Sequence, residues 1–271
     1  MSISVEDHYS SDGIVDRILA ALPQPLAIPL QPAQLYPFDQ FHGREIHATR
    51  DHTALLNPQP TDHILDIGSG IGGPARYLAA TYQSHVTGVD LTAKFTEAAR
   101  ELTKRCALDA SVKFFHADAA KLPFEANHFD HAICFYVGMN LPDKPAVLAE
   151  ALRVLKPGGR LIWTEVAQIT PPTFPLPWAT DPANSHLSPS DTLLGNFSSA
   201  GFTIDSVQDE AQSHITLAQK MQQSGLKPSP EHIQANAVVF GPDFIQRRKN
   251  YIQNLAAGNI ASLVIQARKP G

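Results

Sequence analysis

The chain has little of what would place it in several broad classes. Its 271 residues include two cysteines, Cys106 and Cys134, too few for a disulfide framework. Both fall in runs that read as regular structure, so they are expected as buried small side chains. Basic residues never cluster: the densest spot is "RRK" at 247–249, and the formal net charge is −5. That is not the electrostatic footprint of a nucleic-acid-binding protein. No apolar run approaches the roughly 20 residues a membrane span requires. The opening "MSISVEDHYSSDG" offers neither a basic leader nor an apolar core of signal-peptide length, and a cytoplasmic protein is expected. His42, His47 and His52 are spaced five apart and diverge around a helix. With no Cys-x-x-Cys or His-x-x-x-His pair beside them, no metal centre is expected. There is no internal repeat and no low-complexity tract.

A hydrophobic share of 43% with 17% charged residues describes an ordinary globular protein of one large domain, or one domain with a cap. Residues 12–22 carry Ile14, Ile18 and Leu22 at helical spacing behind Asp12, a candidate cap. Five prolines in 23–37 argue against helix and sheet interior alike. Helix is expected again over 43–56, with "NPQPTD" ending it. From there strand-like runs at 63–67, 85–90, 112–118, 130–136 and 160–166 alternate with helical patterns at 74–82, 92–107 and 143–155. That alternation predicts an α/β fold with a parallel, doubly wound sheet. After it come a segment with six prolines at 167–189, a helix at 190–200 and a strand at 202–208. Two or three helices broken at "GLKPSP" occupy 212–257, and a strong strand follows at 259–269. The two C-terminal strands lack the usual crossover helix and are expected to pair antiparallel. The proline-rich 167–189 reads as a lid or binding loop.

The chemistry concentrates in "HILDIGSGIGGPARYLA", 63–79, where a strand runs into a glycine cluster and then a helix. Glycines there let backbone approach a ligand, and the helix N-terminus offers free N–H groups. By spacing alone the motif is ambiguous. Gly68, Gly70 and Gly73 satisfy G-x-G-x-x-G, whereas Gly68, Gly70 and Gly72 make G-x-G-x-G, and Asp90 serves ribose hydroxyls under either. Asp66, two residues before the first glycine, suits an ammonium group better than a pyrophosphate, which it would repel. Asp118 ends the third strand and suits an adenine amino group.

"LDIGSGIGG", "VTGVDLT", "ADAAKLPF", "FDHA" and "LKPGGRL", in this order over 63–166, resemble the class I S-adenosylmethionine-dependent methyltransferases. "DQFH" followed by glycine, "GSGIGGPARYLA" and "PLPWATDPANSHL" narrow the resemblance to a bacterial subgroup related to sarcosine and dimethylglycine N-methyltransferases. The resemblance implies a Rossmann-like seven-stranded sheet ordered 3-2-1-4-5-7-6, strand seven antiparallel. The element pattern along the chain is expected to form a helical and proline-rich cap over 1–56 on a core of 57–271, with 212–257 as a helical insertion. The implied cofactor is S-adenosylmethionine. Asp66 and the Gly68, Gly70 and Gly72 loop would hold its methionine portion and Asp90 its ribose; Leu91 would pack on adenine, with Asp118 and Ala119 reading the adenine edge. Gln40 and Phe135 complete that set.

The partner implied is a small-molecule acceptor, methylated on a nitrogen first, with oxygen or carbon as alternatives. His42 is the candidate base or orienting group, unless it closes over the cofactor instead, and Tyr136 joins it as a catalytic candidate. Tyr36, Phe41, Met139, Asn140, Trp178 and His186 are expected to line the acceptor pocket. One departure stands out: the sarcosine-type enzymes carry a polar pair after strand four where this chain has Phe135-Tyr136. That favours a flatter, heteroaromatic acceptor over an amino acid.

Overall fold

The computed structural model describes residues 13–223, 241 and 243–271. The parallel strands are β1 (His63–Ile67), β2 (His85–Asp90), β3 (Val112–His116), β4 (Phe129–Phe135) and β5 (Leu155–Gln168). A two-residue strand β6 (Ser188–Pro189) adds to the end of β5, and β7 (Thr203–Asp209) and β8 (Ile260–Arg268) follow. Their order is β3-β2-β1-β4-β5-β8-β7, with β6 off this path. Both β5–β8 and β8–β7 pair antiparallel. Apart from β6, this is the expected seven-stranded order with the last strand inserted antiparallel.

Nine helices are described: α1 (Ile14–Ala21), α2 (Pro32–Asp39), α3 (Glu45–Ala54), α4 (Gly73–Tyr82), α5 (Ala93–Arg105), α6 (Lys144–Val154), α7 (Ser190–Ala200), α8 (Ala211–Gln223) and α9 (Phe244–Ala256). Asp12 and the "GLKPSP" break lie outside the described residues. Strand side chains alternate between two cores, as a pleat demands. Leu65, Ile67, Cys134 and Trp163 pack with α6 and α7, whereas Ile64, Ile133 and Ile162 pack with α4. Both cysteines are buried thiols.

Two expectations are corrected. The proline-rich 23–37 was expected to hold no helix, yet α2 runs through Pro32 and Pro37. Pro32 sits in the first turn, where its missing N–H costs nothing, and Gln31 and Gln34 cap the end reciprocally. Packing then outweighs the cost of Pro37: Leu35 and Phe38 are buried, and Asp39 pairs with Arg76 of α4 at 2.9 Å. The segment 167–189 is also less irregular than expected. The end of β5, a short 3-10 turn at Pro182–Asn184 and β6 all fall within it. It is fastened as well: Asn254 bonds Thr173, Asn250 donates to the Pro175 carbonyl, and the His186 amide donates to Met139.

Candidate active site

A cavity of about 1590 Å³ opens beyond the C-terminal ends of β1 to β4, roofed by the start of α3, by α8 and α9, and by Pro177 and Trp178. Parallel sheets bind ligands at this crevice, where strand order reverses beside β1. Its floor is the glycine loop. The Gly68 and Ser69 amides donate to the Val89 carbonyl at 2.8 and 2.9 Å, and the Gly70 amide donates to Asp90 Oδ2 at 2.8 Å. Asp90 Oδ1 accepts from the Thr92 amide at 2.8 Å, so one carboxylate shapes two turns of the wall. Burial raises its pKa against these bonds. Gly68 needs its positive φ of 72°, and a Cβ there would lie 2.3 Å from Val137 Cγ2.

Leu91, Asp118 and Ala119 line one end, with Leu91 and Asp118 exposed. Asp118 Oδ1 also accepts from the Ala120 amide at 2.8 Å, which holds the turn after β3. Gln40, Phe41 and His42 enter from the α2–α3 connection, and Phe135, Tyr136, Met139 and Asn140 from the end of β4. Trp178 and His186 belong to the fastened segment. Fifteen of the expected site residues therefore share one cavity.

Three do not line it. Tyr36 packs against Tyr77 instead, ring centroids 6.2 Å apart. A Cβ on Gly72 would meet the Phe114 ring at 2.5 Å, so this glycine serves helix–sheet contact. Asp66 lies in β1 beneath the loop, 2% exposed, and its Oδ2 has no hydrogen-bond partner among the described residues. Burial, aided by the Asp90 charge, raises its pKa to about 7.

The inner wall holds groups kept uncharged. His42 stacks on Tyr136 at 5.7 Å, and burial, with neighbouring His52, lowers its pKa to about 3. Tyr136 OH lies 3.1 Å from His214 Nε2 and 2.9 Å from Ser262 Oγ. Burial pushes the phenol well above its ordinary range, and Tyr136 has a positive φ of 56°. Burial also lowers His214 to about 4. Charges stay at the edge: Glu210 takes Arg44 at 2.7 Å and His52 at 3.0 Å, and Arg248 takes Glu45 at 2.7 Å. These pairs clasp α3 to the elements on either side of the roof.

His214, Tyr251 and Arg248 were missed in the sequence. His214 follows strand β7 in a helix with no motif around it, and only its burial in that helix reveals it. Among the described residues, no cluster of three or more metal-ligating side chains forms.

Residues 65–163 match the family model described as a methyltransferase domain. The chain is 33% identical over 163 residues to the O-methyltransferase cnsE of Penicillium expansum, which is 59% of each protein. It is 36% identical over 106 residues to the glycine/sarcosine/dimethylglycine N-methyltransferase of Actinopolyspora halophila, covering 39% of this chain and 19% of that one. The chain thus spans less than two thirds of the length of these relatives. Over nearly its whole length it shares the fold of the [4+2]-cyclase SpnF, with a TM-score of 0.66, 22% identity, and 98% and 97% of the two chains covered. Among the described residues no helix is long and apolar enough to cross a membrane.

Proposed function

We propose that the chain is an S-adenosylmethionine-dependent methyltransferase that acts on a nitrogen of a small, uncharged amine or heteroaromatic acceptor. The observation that carries this is the cavity itself. Drug-sized ligands occupy about 300–1,000 Å³. The 1590 Å³ here has room for a cofactor and an acceptor together. The glycine loop, the Asp90 carboxylate and the unpartnered Asp66 Oδ2 beneath it fit a ligand with ribose hydroxyls and an ammonium group. When bound, that cofactor supplies an electrophilic methyl on a sulfonium.

The protein's task is then alignment and exclusion of water, worth roughly 7–11 kcal/mol in well-oriented cases. Phe135, Tyr136, Met139 and Trp178 offer aromatic and thioether surface to a flat acceptor. His42, His214 and Tyr136 are all held neutral. Among the described residues lining this part, the one carboxylate is Glu45, and it is spent on Arg248, so nothing there favours the protonated form of an amine. An uncharged nitrogen keeps its lone pair for the displacement. The resemblance to sarcosine-type enzymes supports nitrogen, and the relative from Penicillium supports oxygen as the second reading. The described residues of the segments 1–56, 167–189 and 212–257 act as the cap, and the chain works in the cytoplasm.

Calorimetric titration with S-adenosylhomocysteine, with NADH as control, tests the site. Binding of the first and none of the second is expected. Asp90→Ala should weaken that binding about tenfold or more, since it removes charge-assisted bonds worth about 1.5–3 kcal/mol each. Unchanged affinity would refute the ribose assignment. Labelled-methyl transfer to matched panels of heteroaromatic amines and phenols then decides between nitrogen and oxygen.

A further inference from the structure

Behind His42 a chain of hydrogen bonds runs through the protein to a buried ion pair. Arg76 Nη2 donates to Asp39 Oδ2 at 2.9 Å. Gln40 Nε2 donates to Asp39 Oδ1 at 2.8 Å. Thr49 Oγ1 lies 2.5 Å from Gln40 Oε1 and 2.9 Å from His42 Nε2. All of these residues are 9% exposed or less.

The direction of each bond follows from the first. Asp39 faces a guanidinium, so it accepts. Gln40 must therefore turn its amide nitrogen toward Asp39, which leaves its carbonyl oxygen toward Thr49. Thr49 has a single hydroxyl hydrogen and spends it on that oxygen. Its remaining capacity is to accept, and the only donor His42 can offer is Nε2–H. One ring nitrogen is protonated in a neutral imidazole, so Nδ1 is left with a bare lone pair. That atom is buried and has no hydrogen-bond partner among the described residues, while the ring lines the cavity beside Tyr136.

We infer that Gln40 and Thr49 are positioning residues that lock His42 as the Nε2–H tautomer, so that Nδ1 accepts a hydrogen bond from the N–H or O–H of the methyl acceptor. The acceptor half of this statement rests on the proposed methyl transfer; the tautomer lock does not. His42 orients the acceptor and does not take its proton. Burial opposes a charge on the ring, and so do His52, His214 and Arg44 around it, leaving only the Gly43 backbone to favour one. Tyr136 and Thr49, the other polar groups against it, are neutral.

The first test needs no acceptor. Long-range ¹H–¹⁵N spectra of ¹⁵N-histidine-labelled protein, with His42→Gln to assign the signal, report which nitrogen carries the proton. Wild type should show Nε2–H and bare Nδ1 unchanged from pH 5 to 8. Thr49→Val should mix the tautomers, and Thr49→Ser, which keeps the hydroxyl, should restore the single form. A wild-type Nδ1–H form, or Thr49→Val spectra identical to wild type, would overturn the lock. The second test adds indole to the complex with S-adenosylhomocysteine, with N-methylindole as the probe lacking a donor. Indole alone should move the Nδ1 resonance. Binding of both with no difference at Nδ1 would overturn the orienting role. Failure of either to bind would instead count against the apolar acceptor reading, leaving the tautomer result standing.

Discussion

The pair Arg76–Asp39 joins α2 to α4, and its disruption tests the attachment of the N-terminal segment. Arg76 is fully buried and Asp39 is 3% exposed, with 2.9 Å between the charged atoms. Arg76 also donates to Thr103 Oγ1 at 3.0 Å, whereas among the described residues Asp39 is its only carboxylate. Asp39→Asn keeps shape and a hydrogen-bond acceptor but strands a guanidinium in the interior. Breaking a buried pair from one side costs about 3–5 kcal/mol. For a chain of this size that is roughly 6–12 °C in Tm. Arg76→Met behaves differently, because the carboxyl left behind can protonate. Burial already raises the Asp39 pKa and Arg76 opposes that rise. Without Arg76 the folded-state value climbs further above the unfolded one, so the Asp39 contribution to the variant's stability is fullest below about pH 4 and is lost as pH rises, by up to about 1.4 kcal/mol per unit. The Asp39→Asn deficit should not vary with pH in this way. The double variant Asp39→Asn/Arg76→Met removes both charges and should recover most of the loss. Urea unfolding at pH 5, 6.5 and 8 for the four proteins reads all of this. An Asp39→Asn midpoint equal to wild type, or an Arg76→Met deficit flat across pH, would refute the reasoning.

Further expectations concern the site. Gly68→Ala should abolish S-adenosylhomocysteine binding, because a left-handed alanine costs roughly 1–2 kcal/mol and its Cβ must displace Val137. Gly195→Ala, with open space in α7, should bind normally and gain roughly 0.5–1 kcal/mol of stability. Equal binding by both variants would show that the loop tolerates a side chain. His42 and His214 are buried neutral, lowered to about 3 and about 4 from 6.5. Between these values and 6.5 the unfolded chain binds protons that the folded one does not. Their contribution to stability should therefore be full above pH 7 and fall on acidification through 6 and 5, by up to about 1.4 kcal/mol per unit for each group, opposed over the same range by Asp66 and Glu165, whose burial raises them to about 7. His214→Gln should lose less stability than wild type on acidification in urea titrations, and a pH dependence identical to wild type would remove His214 from the account. Glu210, whose pKa is lowered against its burial by His52 and Arg44, adds its own loss only below about pH 4.5.

The sheet was legible in the sequence because its signals are local. Each buried strand is a short apolar run bounded by helical periodicity, and the order of runs fixes a parallel sheet with few alternatives. The glycine loop and Asp90 were legible for the same reason: the turn, the carboxylate that caps it and the helix that follows lie within one βαβ unit. α2 was not, because a proline count measures local cost and cannot see Arg76, 37 residues away, holding Asp39. The same distance in sequence hid half of the cavity wall. His214 meets Tyr136 across 78 positions and Ser262 across 48, a convergence that no periodicity announces. Gly72 shows the converse error. Its place in the motif suggested ligand contact, but the space its missing Cβ leaves is filled by Phe114. A glycine at a helix start is required equally by a ligand and by a neighbouring strand, and only the packed partner distinguishes the two. The proposed acceptor pocket is built almost wholly from such long-range meetings, so the residues that would choose an acceptor are those a single sequence reveals least.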